Sequence, residues 1–394
     1  MTSASIRSAA ARLVFCALVG PASVAIAAPQ EGGASKYDDP YTLGDAKALG
    51  QAGYVKIGSA ELAPGITSSQ IEHALALEQR ICWIETAHFK LGIELPATKA
   101  ALQEKKGLEE ELVRLKKRLP RVRTSGVVDG WTRAHLCAMR AEDHYADFVK
   151  RFAIDENALK PDARYLGMKS KYAILLFTKE SSLGTFAQTF LKRDVKAALQ
   201  HYLDSDCMLY VDALEVHKPE HRLDLGVRAR LAYNVASNLV DGYGGFFTHT
   251  PPWWREGFAQ VVARGVNGQY APMFDPRMYE NDQKQAWEWA PRVSGRARHN
   301  IAKSANALFA VQKSQDLDFA STMDSWSRVE FLLAQPGDAA RKFLDALQKI
   351  DALRLEESER VAKQATALEA SFGFDPAGFD QKWRSWVLET YPKR

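Results

Sequence analysis

Asn234 and Asn238 stand four residues apart, and Glu256 follows in the next apolar stretch. A four-residue spacing puts both amides on one helix face. Two ligands one turn apart, with an acid arriving from a second helix, is the layout in which a helix pair holds a hydrolytic metal ion. That chemistry asks for imidazoles at the paired positions and a carboxylate beside the first, which polarises a bound water. Each role fails here in turn. An amide oxygen is a poor zinc ligand beside imidazole or carboxylate. Val235 stands where the general base belongs, and an isopropyl group takes no proton. Glu256, in Trp253-Trp254-Arg255-Glu256-Gly257, is left as the lone acidic ligand. His249 lies in the loop just before it, and Trp253 and Trp254 are candidate walls of a cleft.

Other reaction types find less support. No Gly-x-Ser-x-Gly turn occurs, and Ser237 falls inside a helix rather than on a nucleophile elbow. No carboxylate pair stands out for glycoside cleavage. Gly242-Tyr243-Gly244-Gly245 follows a helix instead of preceding one, so it reads as a helix stop. His217 and His221 are four apart, but Pro219 between them argues against one helical face.

The elements that must position these residues follow from periodicity. Leu231, Val235 and Leu239 make an apolar stripe on a helix over 225–241. Upstream, Ile81–Leu91 reads as a strand, Lys171–Phe177 as the clearest strand, and Cys207–Asp212 as another. Thr98 is expected to cap a charged helix running to about Leu119, which Pro120 ends. A second helix spans about Asp129–Phe152, and Ser181-Ser182 start one running to about Leu191. Beyond Leu223 the pattern is helical, with a loop-rich span at 265–297 and helices near 298–314, 325–334, 338–351, 356–371 and 376–390. The expected fold class is α+β: a small sheet-and-helix lobe packed on a mainly helical C-terminal lobe.

The N-terminus carries Arg7 and Arg12, an apolar run Leu13–Val19, and Ala25-Ile26-Ala27 before Ala28. That order is expected of a secretory signal peptide over 1–27. The run is too short to span a bilayer, and no later one is long enough. The resulting division is a signal peptide at 1–27, an extended leader at 28–75, an α+β lobe at 76–223 and a helical lobe at 224–394. An exported protein, periplasmic or extracellular, is expected. The net charge of +4 gives no footprint for nucleic acid. The basic stretch Lys105–Arg123 is broken by Glu109, Glu110 and Glu111 and reads as a solvated helix. Cys82, Cys137 and Cys207 are an odd number, so they allow one bridge or three buried thiols.

Helix, Gly-rich loop and Pro-Pro-Trp-Trp-Arg-Glu-Gly-Phe-Ala together resemble the gluzincin metallopeptidases, and within them the peptidase-MA-like exported bacterial proteins. Thr86–Leu91 resembles the opening strand of that group, Ser325–Leu332 the helix after its active site, and Phe372–Asp375 with Trp383–Val387 its closing helices. The match covers roughly 80–390. The resemblance implies that the third metal ligand maps onto Glu256, the two His ligands onto Asn234 and Asn238, and the general base onto Val235. It also implies a peptide-binding edge strand near Cys207–Asp212. It therefore implies a gluzincin-like fold with a degenerate site, no metal and no cofactor. Two functions follow as expectations. One is a non-catalytic binding or structural protein, its cleft taking a peptide, a polysaccharide or a partner protein. The other is a hydrolase with a rebuilt site, using Glu256 with His249 or a hard cation such as calcium on Asn234, Asn238 and Glu256.

Overall fold

The computed structural model describes residues 39–75, 77, 80–159, 165–204, 207–243, 245, 250–272, 288–351 and 354–392, with backbone only for Leu203 and Asp204. Residues 1–27, expected to be a signal peptide, and His249 lie outside the described residues. The described residues belong to one compact unit. In chain order the first elements are α1 (Ala46–Ala52), β1 (Tyr54–Ile57), β2 (Glu61–Ala63), β3 (Ile66–Thr67) and α2 (Ser68–Leu75). Next come β4 (Cys82–Thr86), β5 (Phe89–Ile93), β6 (Thr98–Lys99), α3 (Lys105–Arg118), β7 (Val127–Val128) and α4 (Gly130–Arg151). Then follow β8 (Tyr172–Phe177), α5 (Glu180–Phe186), β9 (Leu199–Asp204) and β10 (Cys207–Ala213). The rest is helical: α6 (Asp224–Tyr243), α7 (Pro252–Val266), α8 (Trp289–Arg298), α9 (Ala305–Phe309), α10 (Phe319–Leu333), α11 (Ala339–Leu347), α12 (Glu357–Phe372) and α13 (Pro376–Thr390). The class is α+β with a mainly helical C-terminal part, as expected.

Six strands form one mixed sheet in the order β1-β4-β5-β8-β10-β9. β8 is central and runs parallel to both β5 and β10, with Ile174 opposite Leu91 on one side and Tyr210 on the other. Every residue of β8 is buried, which is why it reads as a continuous apolar run rather than an alternating one. Alternation still sorts its side chains. Ile174 and Leu176 join the large core with α4 and α6, while Ala173, Leu175 and Phe177 join a smaller core on the other face.

Several expectations are corrected. The leader does not extend to residue 75: Tyr54–Ile57 is the edge strand β1, paired antiparallel with β4. Ile81–Leu91 is not one strand but the core of a hairpin, turning at Ala87-His88 so that Ile84 faces Leu91. Thr98 does not cap a helix, because it pairs with Val128 in a two-stranded ribbon, and α3 begins at Lys105. The helix near 298–314 shrinks to α9, capped by Ser304. No seam divides the chain at 223 and 224. At the start of α6, Asp224 is tied to Arg140 of α4, whose Nη2 donates to Asp224 at 2.5 Å and to Glu111 of α3 at 2.6 Å.

α7 is gripped on two sides, by α6 and by α10. Gly257 allows the second contact. A Cβ there would lie 2.6 Å from the Ser325 carbonyl oxygen and 2.6 Å from Val329 Cγ2 of α10, closer than atoms tolerate. Cys82, Cys137 and Cys207 are all buried, and no disulfide links them. Burial pushes the Cys82 thiol up to about 12 and that of Cys137 up to about 11.

Candidate functional site between the sixth and seventh helices

α6 and α7 lie side by side, and Glu256 reaches α6 from the first turns of α7. Its partner is Tyr233. The Tyr233 hydroxyl donates to Glu256 Oε2 at 2.6 Å, and Gln260 Nε2 donates to Oε1 at 3.0 Å. Gln260 Nε2 also donates to the Pro272 carbonyl at 2.5 Å. Burial raises the Glu256 carboxyl above its ordinary pKa, and the bonds from Tyr233 and Gln260 only partly offset it.

Neither asparagine bonds to Glu256. The Asn234 side chain is committed elsewhere: Nδ2 donates to the Arg230 carbonyl at 2.8 Å, and Oδ1 accepts from Gln200 Nε2 of β9 at 2.9 Å. Asn238 is wholly buried, and both its amide oxygen and nitrogen are without a hydrogen-bond partner among the described residues. Val235 is buried in the core. The residue pair spaced by four that includes the Glu256 partner is therefore Tyr233 and Ser237, with Asn234 just after the first. Stepping by one residue turns a side chain by about 100° around the helix axis. Both pairs satisfy the spacing, and the packing of α7 brings Tyr233, not either asparagine, to the acid.

Trp253 and Trp254 line no open cleft, since both are fully buried. Trp253 packs on Phe309 at 5.3 Å and donates from Nε1 to Gln364 at 2.8 Å. Trp254 meets Phe343 edge-on at 5.2 Å. Two indoles followed by Arg255 on the first turns of α7 thus hold the helix in place. Arg255 pairs with Asp241 at 3.1 Å near the end of α6, not with Glu256.

A second polar group, which the sequence reading passed over, lies where β10 meets α6. Asp212 Oδ2 accepts from Arg230 Nε at 2.9 Å and from Tyr210 Oη at 2.8 Å, while Oδ1 lies 2.7 Å from His217 Nε2. Burial alone would raise the Asp212 carboxyl, but His217 and Arg230 beside it hold it well below the usual range. Arg230 Nη1 also donates to the His221 carbonyl at 2.6 Å. The two histidines do not converge: His217 turns to Asp212, and His221 stacks on Tyr270 at 4.0 Å. Burial lowers the His221 ring to about 4. The charge pattern of Asp212 and Arg230, eighteen residues apart, has no local spacing by which a sequence reading could pair them. β10, placed near the peptide-binding edge by resemblance, is interior, flanked by β8 and β9; β9 is the edge.

Among the described residues no group of three or more His, Cys, Asp or Glu side chains is arranged to hold a metal ion. No described helix is long and apolar enough to cross a membrane. Compared with protein-family models, with curated proteins and with solved structures, the chain matches none.

Proposed function

We propose that this chain is an exported, gluzincin-like protein whose zinc site is degenerate, and that it acts without catalysis as a binding or structural protein. The observation that supports this most is the state of Glu256. The one acid available to the site is closed into bonds from a phenol and a carboxamide, those of Tyr233 and Gln260. A phenol and a carboxamide make a weak ligand set for zinc, which prefers imidazole, thiolate and carboxylate. A peptide, a polysaccharide or a partner protein is the ligand class that a non-catalytic binding protein of this kind would take.

Elemental analysis of the purified protein, with a peptide-library digest run with and without chelator, tests the reading. No stoichiometric zinc and no chelator-sensitive cleavage are expected. One tightly held zinc per chain overturns it.

One observation favours a second reading, a hydrolase with a rebuilt site. Burial raises Glu256 in the direction that a general acid requires. The same digest separates the two: cleavage that resists chelator and disappears in Glu256→Gln would establish the hydrolase.

A further inference from the structure

A cleft of about 280 Å³ opens between α4, α6 and α7, away from the Tyr233–Glu256 contact. It is at the small end of ligand pockets. Its floor is hydrocarbon, from Phe148, Leu239, Phe258 and Val262. Its rim carries charge from Asp147 and Arg151 of α4 and Arg228 of α6, with His144 alongside.

The rim has an excess of cation. Asp147 and Arg151 are four apart on α4, the spacing of a helical ion pair. Yet Arg151 makes no hydrogen bond or ion pair among the described residues. Arg228 has Nε 3.3 Å from Glu111, but that carboxylate is shared with Arg140, which takes both its oxygens. Burial holds Arg228 below the usual guanidinium range, and Glu111 offsets this only in part. The lining thus holds one carboxylate, that of Asp147, and two guanidiniums around an apolar floor.

We propose that this cleft is a binding site for a small amphipathic carboxylate of the medium-chain fatty-acid type. The carboxylate lies against Arg151 and Arg228, and the chain lies over Phe148, Leu239 and Phe258. Guanidinium forks match a carboxylate in shape as well as charge, and desolvating the chain against the floor supplies the remaining drive. Octanol, lacking the charge, and octylammonium, with the opposite charge, are the discriminating controls.

Titration calorimetry of the full-length protein with sodium octanoate tests the site. Saturable binding is expected, weaker by about tenfold or more for octanol and octylammonium. Arg151→Glu, at an exposed position, is expected to weaken octanoate by about tenfold. Val262→Trp, which fills the floor, is expected to abolish binding while the circular-dichroism spectrum and unfolding midpoint report an intact fold. If Val262→Trp unfolds, the Arg151→Glu result decides alone. No saturable octanoate binding by the wild type overturns the proposal. So does octanoate binding that neither Arg151→Glu nor a folded Val262→Trp alters.

Discussion

The hydroxyl of Tyr233 on α6 donates to Glu256 Oε2 on α7 at 2.6 Å, a buried contact that ties the middle of α6 to the first turns of α7. Replacing tyrosine by phenylalanine keeps the ring and removes this donor, so a buried carboxyl oxygen loses its partner. Tyr233→Phe is expected to lower stability by about 1–3 kcal/mol. Urea unfolding at neutral pH measures this, with a shifted midpoint and an unchanged slope.

Glu256 also gives the fold a pH signature. Its carboxyl is raised by burial, so the folded state keeps the proton to a higher pH than the unfolded chain, whose ordinary value is 4.5. Stability from this group is complete below the unfolded value and is lost as pH rises through the folded one. Against Glu256→Gln, which cannot ionise, the wild type should lose relative stability over the range above about pH 4.5. A difference that stays constant across that range would contradict the buried setting of the acid.

The register of the helix face can be tested by building a metal site. Tyr233→His, Asn234→Glu and Ser237→His together put one imidazole at the position that meets Glu256, a second one turn along, and a carboxylate beside the first. This variant is expected to take up stoichiometric zinc. Asn234→His, Val235→Glu and Asn238→His together turn the ligands away from Glu256 and place a carboxylate in the core, and no zinc is expected. Equilibrium dialysis of the two variants compares them directly; the opposite outcome would restore the asparagine pair.

Asn238 should be better replaced than kept. Its amide is fully buried with neither atom bonded among the described residues. Leucine has the same branched side-chain skeleton of four heavy atoms and no polar group to desolvate. Asn238→Leu is expected to stabilise the protein by about 1–3 kcal/mol in thermal or urea unfolding.

Asp212 should behave in the opposite way. It balances Arg230 and bonds His217 and Tyr210, all within the protein interior. Asp212→Asn leaves a buried guanidinium without its counter-charge, at an expected loss of about 3–5 kcal/mol. Removing both charges, in Asp212→Asn with Arg230→Met, should recover part of that loss, and a double-mutant cycle reads the coupling.

Much of the fold was legible in local pattern. β8 announced itself as an apolar run, α4 began at Gly130 just after its cap Asp129, where the second helix was expected to start, and α13 ran from Pro376 to Thr390 as expected. The misses have common physical causes. Ala87-His88 carries no Gly, Asn or Asp to mark a turn, so the β4–β5 hairpin looked like one strand. Thr98 had the right residue type for a cap, but it found a strand partner in Val128, and that contact is thirty residues away. At the site the acid was legible and its partner was not. Spacing by four is met equally by Tyr233 with Ser237 and by Asn234 with Asn238, and the choice between them depends on the angle at which α7 approaches. That angle is set by tertiary packing, including the bare Cα of Gly257 against α10.

Glu256 and Gly257 are neighbours in sequence but answer to different helices, one to α6 and the other to α10. Any side chain added at 257 would wedge α10 outward and roll α7 on its axis, swinging the acid off its phenol. A substitution on the rear surface of α7 would thus be felt first at the front. The pair works as a lever whose fulcrum is a missing methyl group.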